Sequence, residues 1–198
     1  MKKCLIIIVL AAMTGGSAYA QSKWYSTGEI EFIFPRAKEY SYDDNNTNIG
    51  YKVDLPTKEG FLLDSYGLLY TYNYLLFRKL SLGVLGGAQV HNNPDIFMLK
   101  LGGIMKFFFV DEDNVYVKLI LAHEFSTSKN DFNKGTTVRF GLGFPVLKKE
   151  SFNLNVNIFT VYDYFDLTGA NPLDAALAGH IPKTLIIRGF ALSVGAKF

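Results

Sequence analysis

Residues 184–198 read TLIIRGFALSVGAKF and carry the sequence to its carboxyl end. Phe190, Leu192, Val194, Ala196 and Phe198 fall on one parity, and Gly189, Ala191, Ser193, Gly195 and Lys197 on the other. A period of two with one apolar face is the pattern of a β-strand. No charge interrupts the apolar parity from Phe190 to Phe198. A strand of about 10 residues, aromatic at its last position and small or polar on its second face, suits the closing strand of a barrel that crosses a membrane.

The same alternation recurs upstream. Residues 25–34 set Ile30, Phe32 and Phe34 against Glu29, Glu31 and Ile33. Residues 65–76 set Leu68, Tyr70, Tyr72 and Tyr74 against Leu69, Thr71 and Asn73, and residues 80–91 set Leu82, Val84 and Val90 against Ser81, Gly83, Gly87 and Gln89. In 96–109, Phe97, Leu99, Leu101, Met105 and Phe107 oppose Lys100, Gly102 and Lys106. In 115–125, Val117, Leu119, Leu121 and His123 oppose Tyr116, Lys118, Ala122 and Glu124. Val138, Phe140, Leu142 and Phe144 then oppose Arg139, Gly141 and Gly143, with Pro145 predicting a bulge or strand end because it cannot donate to a ladder. From Phe152 onward, Leu154, Val156 and Ile158 oppose Asn153, Asn155 and Asn157. Three asparagines would be costly in an apolar core but suit a polar barrel interior.

With the closing strand these make eight. Their connections alternate: a loop at 36–60, a turn near Arg78, a break at 92–95, a turn near Asp113, a loop at 126–135, a turn near Lys149 and a loop at 165–183. Sorting tight turns to one end and longer loops to the other is the habit of outer-membrane barrels, not of a sandwich. Within the last loop, Asn171, Pro172 and Gly179 predict a short helix at 173–178.

Residues 1–20 read as a cleaved secretory signal, with Lys2 and Lys3, an apolar run from Leu5 to Met13 and Ala18-Tyr19-Ala20 before the cut. The domain organisation expected is therefore a signal peptide at 1–20 and a barrel at 21–198. Cleavage removes Cys4 and two of the 20 basic residues, leaving 18 against 18 acidic ones, so the mature chain is formally neutral. That balance argues against a nucleic-acid partner. Although 49% of residues are hydrophobic, no apolar run after the leader reaches helix-spanning length, so the chain is apolar by alternation.

The glycine-punctuated segments Leu80-Ser81-Leu82-Gly83-Val84-Leu85-Gly86-Gly87 and Gly141-Leu142-Gly143-Phe144, with the terminal Val194-Gly195-Ala196-Lys197-Phe198, give the mature chain its likeness. It resembles the small outer-membrane β-barrel domain proteins of the Bacteroidetes and, more distantly, the OmpA/OmpX-type barrels. The resemblance implies an all-β, eight-stranded antiparallel up-and-down transmembrane β-barrel in the outer membrane. It carries no shared catalytic residues, and a scaffold does not specify a function.

Inward parity collects the charged residues into one expected lumen network: Glu29, Glu31, Lys100, Lys106, Lys118, Glu124, Arg139 and Asp163. Glu124 and Arg139 are equidistant from their connecting loop and are expected to face each other, with Asp163 as a second acid for the arginine. Lys100, Lys106 and Lys118 are expected lower down with Glu29 and Glu31. Such a network would plug an interior that eight strands leave just wide enough for side chains.

His123, Glu124, Ser126 and Ser128 invite comparison with outer-membrane lipid A deacylases. His123 and Ser126 are three apart, however, and so face opposite sides of a regular strand, which argues against catalysis. His91 and His180 are expected in outer loops near Asp95 and Asp174, without the paired spacing of a metal site. The function expected is a structural or surface-interaction role through the extracellular loops. A small pore for ions or solutes is the alternative, and a lipid-modifying enzyme ranks third. No cofactor or metal is expected; the partners are outer-membrane lipids, lipopolysaccharide and the barrel-assembly machinery, and the barrel is expected to be a monomer.

Overall fold

The computed structural model describes residues 23–44, 50–55, 62–92, 95–110, 114–126, 134–149, 152–167 and 180–198. The expected leader, the 173–178 helix and the acid Asp174 lie outside them. Nine antiparallel strands follow in order: β1 (Trp24–Asp44), β2 (Gly50–Leu55), β3 (Ser65–Phe77), β4 (Leu80–Asn92), β5 (Asp95–Phe108), β6 (Tyr116–Ser126), β7 (Lys134–Lys148), β8 (Asn153–Asp166) and β9 (His180–Lys197). Neighbours in the chain are neighbours in the sheet from β3 to β9, and β9 pairs back onto β1. Eight strands therefore close a barrel, which leaves no open edge along the wall.

The ninth strand is the addition. Residues 36–60 were expected as loop, but β1 runs on to Asp44, and β2 returns beside it from Asp43↔Gly50 to Lys38↔Leu55. Below that level β1 pairs instead with β3, from Trp24↔Tyr74 to Ile33↔Ser65. A register shift between Pro35 and Ala37 against β9 inserts one residue into β1. Because side chains alternate, the inward set changes there from odd positions (Tyr25 to Ile33) to even ones (Lys38, Tyr40, Tyr42), all buried. At the other seam β9 starts at His180 rather than after Lys183. Another bulge, between Pro145 and Leu147 of β7, falls beside the proline that predicted it.

Burial is inverted relative to a water-soluble domain. Val84 and Leu101, for example, are 64% and 62% exposed on the outside, whereas Arg139 and Glu31 are 1% and 0% exposed within. Glycines on the inward parity make room for the large side chains: the Tyr116 ring lies directly over Gly143, its partner across the ladder, where a Cβ would strike the ring.

Candidate functional site: a layered, filled lumen

The eight inward charges named from the sequence are all buried. The structure sorts them into two layers. In the lower one, toward the tight turns, Lys118 Nζ donates to Glu29 Oε2 at 2.6 Å, which also accepts from Ser193 Oγ at 2.9 Å and Asn157 Nδ2 at 3.2 Å. Tyr116 OH donates to Asn157 Oδ1 at 2.7 Å, and Tyr25 OH donates to Ser81 Oγ at 2.8 Å. Lys106, opposite Lys118 on the ladder, turns to Thr27 Oγ1 at 3.2 Å and lies over the rings of Tyr25 and Tyr116. Asn157 of β8 thus bridges the Glu29 carboxylate to the Tyr116 and Ser193 hydroxyls.

The upper layer is a relay across four strands. Arg139 Nη1 (β7) donates to Glu31 (β1), and Arg139 Nη2 donates to Gln89 Oε1 (β4) at 2.6 Å. With its oxygen so engaged, the Gln89 amide nitrogen meets His91 Nε2 at 2.6 Å. An amide nitrogen only donates, so His91 Nε2 is the acceptor and Nδ1 carries the proton shared with Ser65 Oγ of β3. Alongside, Lys100 Nζ sits 2.8 Å from Glu124 Oε1, its direct partner across the ladder, and Thr137 Oγ1 donates to Asp163.

Four sequence expectations need correction. Glu124 does not face Arg139: Glu124 lies opposite Gly135 and Arg139 opposite Ile120. Asp163 lies level with Thr137, not with Arg139, which stands opposite Val161. Lys100 and Glu31, expected in the lower group, belong to the upper one. His91, expected in a solvated loop, is fully buried in the relay, with Asp64 and Asp163 oxygens 3.8 and 3.9 Å from its ring. His180 packs edge-on against Tyr51, and His123 lies outside, edge-on to Phe125 at 4.8 Å.

Apolar layers complete the filling. Leu69, Leu85, Ile104, Ile120 and Ala122 form one buried cluster, and Ile33, Phe159, Val161 and Ala191 another. The Phe159 ring separates the charge layers, with Lys118 Nζ 4.9 Å from its centroid and Arg139 Cζ 5.6 Å. Above the relay, Tyr40, Tyr42, Ile96, Met98, Phe165, Leu185 and Ile187 close the loop end. Sequence reasoning named the charges but not these caps, although the inward parity of Ile33 and Leu69 signalled the septum.

No protein-family model and no curated protein matches the sequence. Solved structures do match. The outer membrane protein AlkL, determined by solid-state NMR in DMPC lipid bilayers, aligns over 93% of this chain and 93% of its own, at 11% identity and TM-score 0.47. Neisserial surface protein A (NspA) aligns over 89% of this chain and 96% of its own, at 15% identity and TM-score 0.43. A Pseudomonas aeruginosa FadL homologue aligns over 91% of this chain but 50% of its own, at 11% identity and TM-score 0.36.

Proposed function

We propose that this protein is a monomeric outer-membrane β-barrel with a closed lumen, which acts through the surface built at its loop end rather than by conduction or catalysis. The filled lumen is the observation that carries this reading: among the described residues, charged layers alternate with apolar ones along the barrel interior. The exterior supports the membrane. From Phe97 to Phe107 the outer face of β5 carries Leu99, Leu101 and Met105, all exposed. That stretch is roughly 34 Å along the strand and, at a tilt of about 45°, spans roughly 24 Å, close to the ~25 Å apolar band of such barrels. In water this exterior would be a large uncompensated apolar patch.

The loop-end surface is the part left to interact. β1 and β9 continue beyond the band, and β2 adds an exposed edge region held by the Tyr42–Tyr51 stack and the Lys52–Glu39 pair at 2.5 Å. Geometry also favours a non-catalytic role. Glu124 is inside with Lys100, so it is not placed to orient His123, which is outside. Two measurements test the proposal. Membrane-extracted protein should change gel mobility on boiling, and planar bilayers containing it should show no steady conductance. Loss of the mobility shift would remove the membrane barrel, and steady unitary currents would install the pore in place of the closed scaffold.

A further inference from the structure

We infer that the turn-end mouth of the lumen holds a binding site for one small monovalent anion of halide size, formed by Lys106 and Asn155. A hollow of about 10 Å³ lies there, lined from five strands by Tyr25 (β1), Lys106 (β5), Tyr116 (β6), Asn155 (β8) and Lys197 (β9). That is room for about one body the size of a water molecule or a halide, and too little for a phosphate or an organic acid. Its rim, at Asn114 and Lys197, is half-buried, so the hollow is reached from the turn end rather than through the filled lumen.

The charge balance of the lower layer calls for an anion. Its two ammoniums, Lys106 and Lys118, stand directly opposite each other on the ladder, a repulsive arrangement. Its one acidic side chain is Glu29, which Lys118 holds at 2.6 Å, with Ser193 and Asn157 on the same oxygen. Glu31, the next inward acid on β1, is taken by Arg139 on the other side of the Phe159 ring. Lys106 therefore has no carboxylate of its own among the described residues, although it is only 2% exposed, and a buried charge without a counter-charge is costly. The donors converge on the same hollow. An ammonium has three N–H donors, and Lys106 uses one on Thr27 Oγ1 at 3.2 Å, with the Tyr25 and Tyr116 ring centroids 5.2 and 5.6 Å away. Asn155 is 6% exposed and lines the hollow, yet its side chain, unlike that of Asn157, makes no hydrogen bond among the described residues. Its amide donor, with that of Asn114 at the rim, is available to an anion. The compact point charge of a lysine suits a spherical anion, whereas the fork of an arginine would match phosphate or carboxylate.

The test uses the purified full chain in micelles of a zwitterionic detergent, with sodium chloride as the probe and the linewidth of the chloride NMR signal as the readout. Unaltered protein should broaden the line beyond protein-free micelles. Sodium bromide should remove the excess by competition, and sodium sulfate at equal ionic strength should not. Lys106→Gln keeps a donor but removes the charge, and should weaken chloride binding at least about tenfold, as expected for loss of a charge-assisted hydrogen bond. Asn155→Ala, which removes a neutral donor, should weaken it about threefold or more. Lys134→Ala, at an exposed site near the loop end, should change nothing. The site is overturned if unaltered protein gives no excess broadening, or if sulfate removes it as bromide does, which would mean diffuse surface charge only. It is equally overturned if Lys106→Gln or Asn155→Ala binds chloride as the unaltered protein does. Gel mobility on boiling is read on every sample, so that if Lys106→Gln does not assemble, Asn155→Ala decides by itself. Absence of the shift in the unaltered chain defeats the membrane barrel, whereas a normal shift without chloride binding defeats only this site.

Discussion

Arg139 shows how far residue-level reasoning reaches. Its inward direction is set by parity, which the sequence states openly, since Val138 and Phe140 flank it on the apolar side. Its partners are not stated anywhere nearby. Glu31 lies 108 positions away and Gln89 lies 50 away, and they meet the guanidinium because the closed wall brings β1 and β4 within reach of β7. The expected pairing with Glu124 failed through register: with Arg139 opposite Ile120, the two residues stand four positions apart on the ladder. Removing one partner of a buried pair strands the other charge, so Arg139→Ala should destabilise the barrel by about 3–5 kcal/mol. Arg139→Met combined with Glu31→Gln should cost clearly less than the sum of the single changes, because neither charge is then left alone. Unfolding titrations followed by gel mobility measure both, and an additive pair would mean that Glu31 and Arg139 are not coupled.

At the scale of elements, seven of the barrel strands were legible because each has one lipid-type face and one polar face. The upper half of β1 was not, since Asp43-Asp44-Asn45-Asn46 dominates the composition of 36–60 and reads as loop. The hidden signal was Lys38, Tyr40 and Tyr42, an alternation on the opposite parity to Glu29 and Glu31, which becomes inward only through the bulge after Pro35. Deleting Arg36 should remove the extra residue and turn Lys38, Tyr40 and Tyr42 outward, sharply lowering assembled barrel measured by heat-shifted protein. Normal assembly of that deletion would mean that the bulge does not set the inward parity. Within β7 the depth of the wall can be read directly. Leu142→Arg should cost about 2–4 kcal/mol and Thr136→Arg, nearer the loop end, about 0–1. A reversed order in folding titrations would move the membrane away from the band assigned here.

The wall of the whole molecule is a closed cylinder, and the closed lumen proposed for it adds a second closure along its axis. Around the wall, closure depends on the β1–β9 seam, where Phe198 N donates to Ser26 O at 2.9 Å and Ser26 N donates to Phe198 O at 3.2 Å. Removing Phe198 takes away the last pair of the seam and should lower assembly, whereas removing Gln21 should not; equal surface levels for the two deletions would contradict this. Along the axis, the layers to which the proposed closure is ascribed act in series. An ion entering from the turn end meets Lys118 and Glu29, then the Phe159 and Leu85 layer, then the Arg139 relay, then the cap of Tyr42, Phe165 and Leu185. Barriers in series mean that removing one leaves the others in place, and an apolar layer excludes a hydrated ion whether or not the charges beside it are paired. Arg139→Ala should therefore lower stability without opening a path, and planar-bilayer recordings of both the unaltered protein and this variant should remain silent. Steady current through Arg139→Ala alone would show that the ion pair, and not the apolar layers on either side of it, is what keeps the lumen shut.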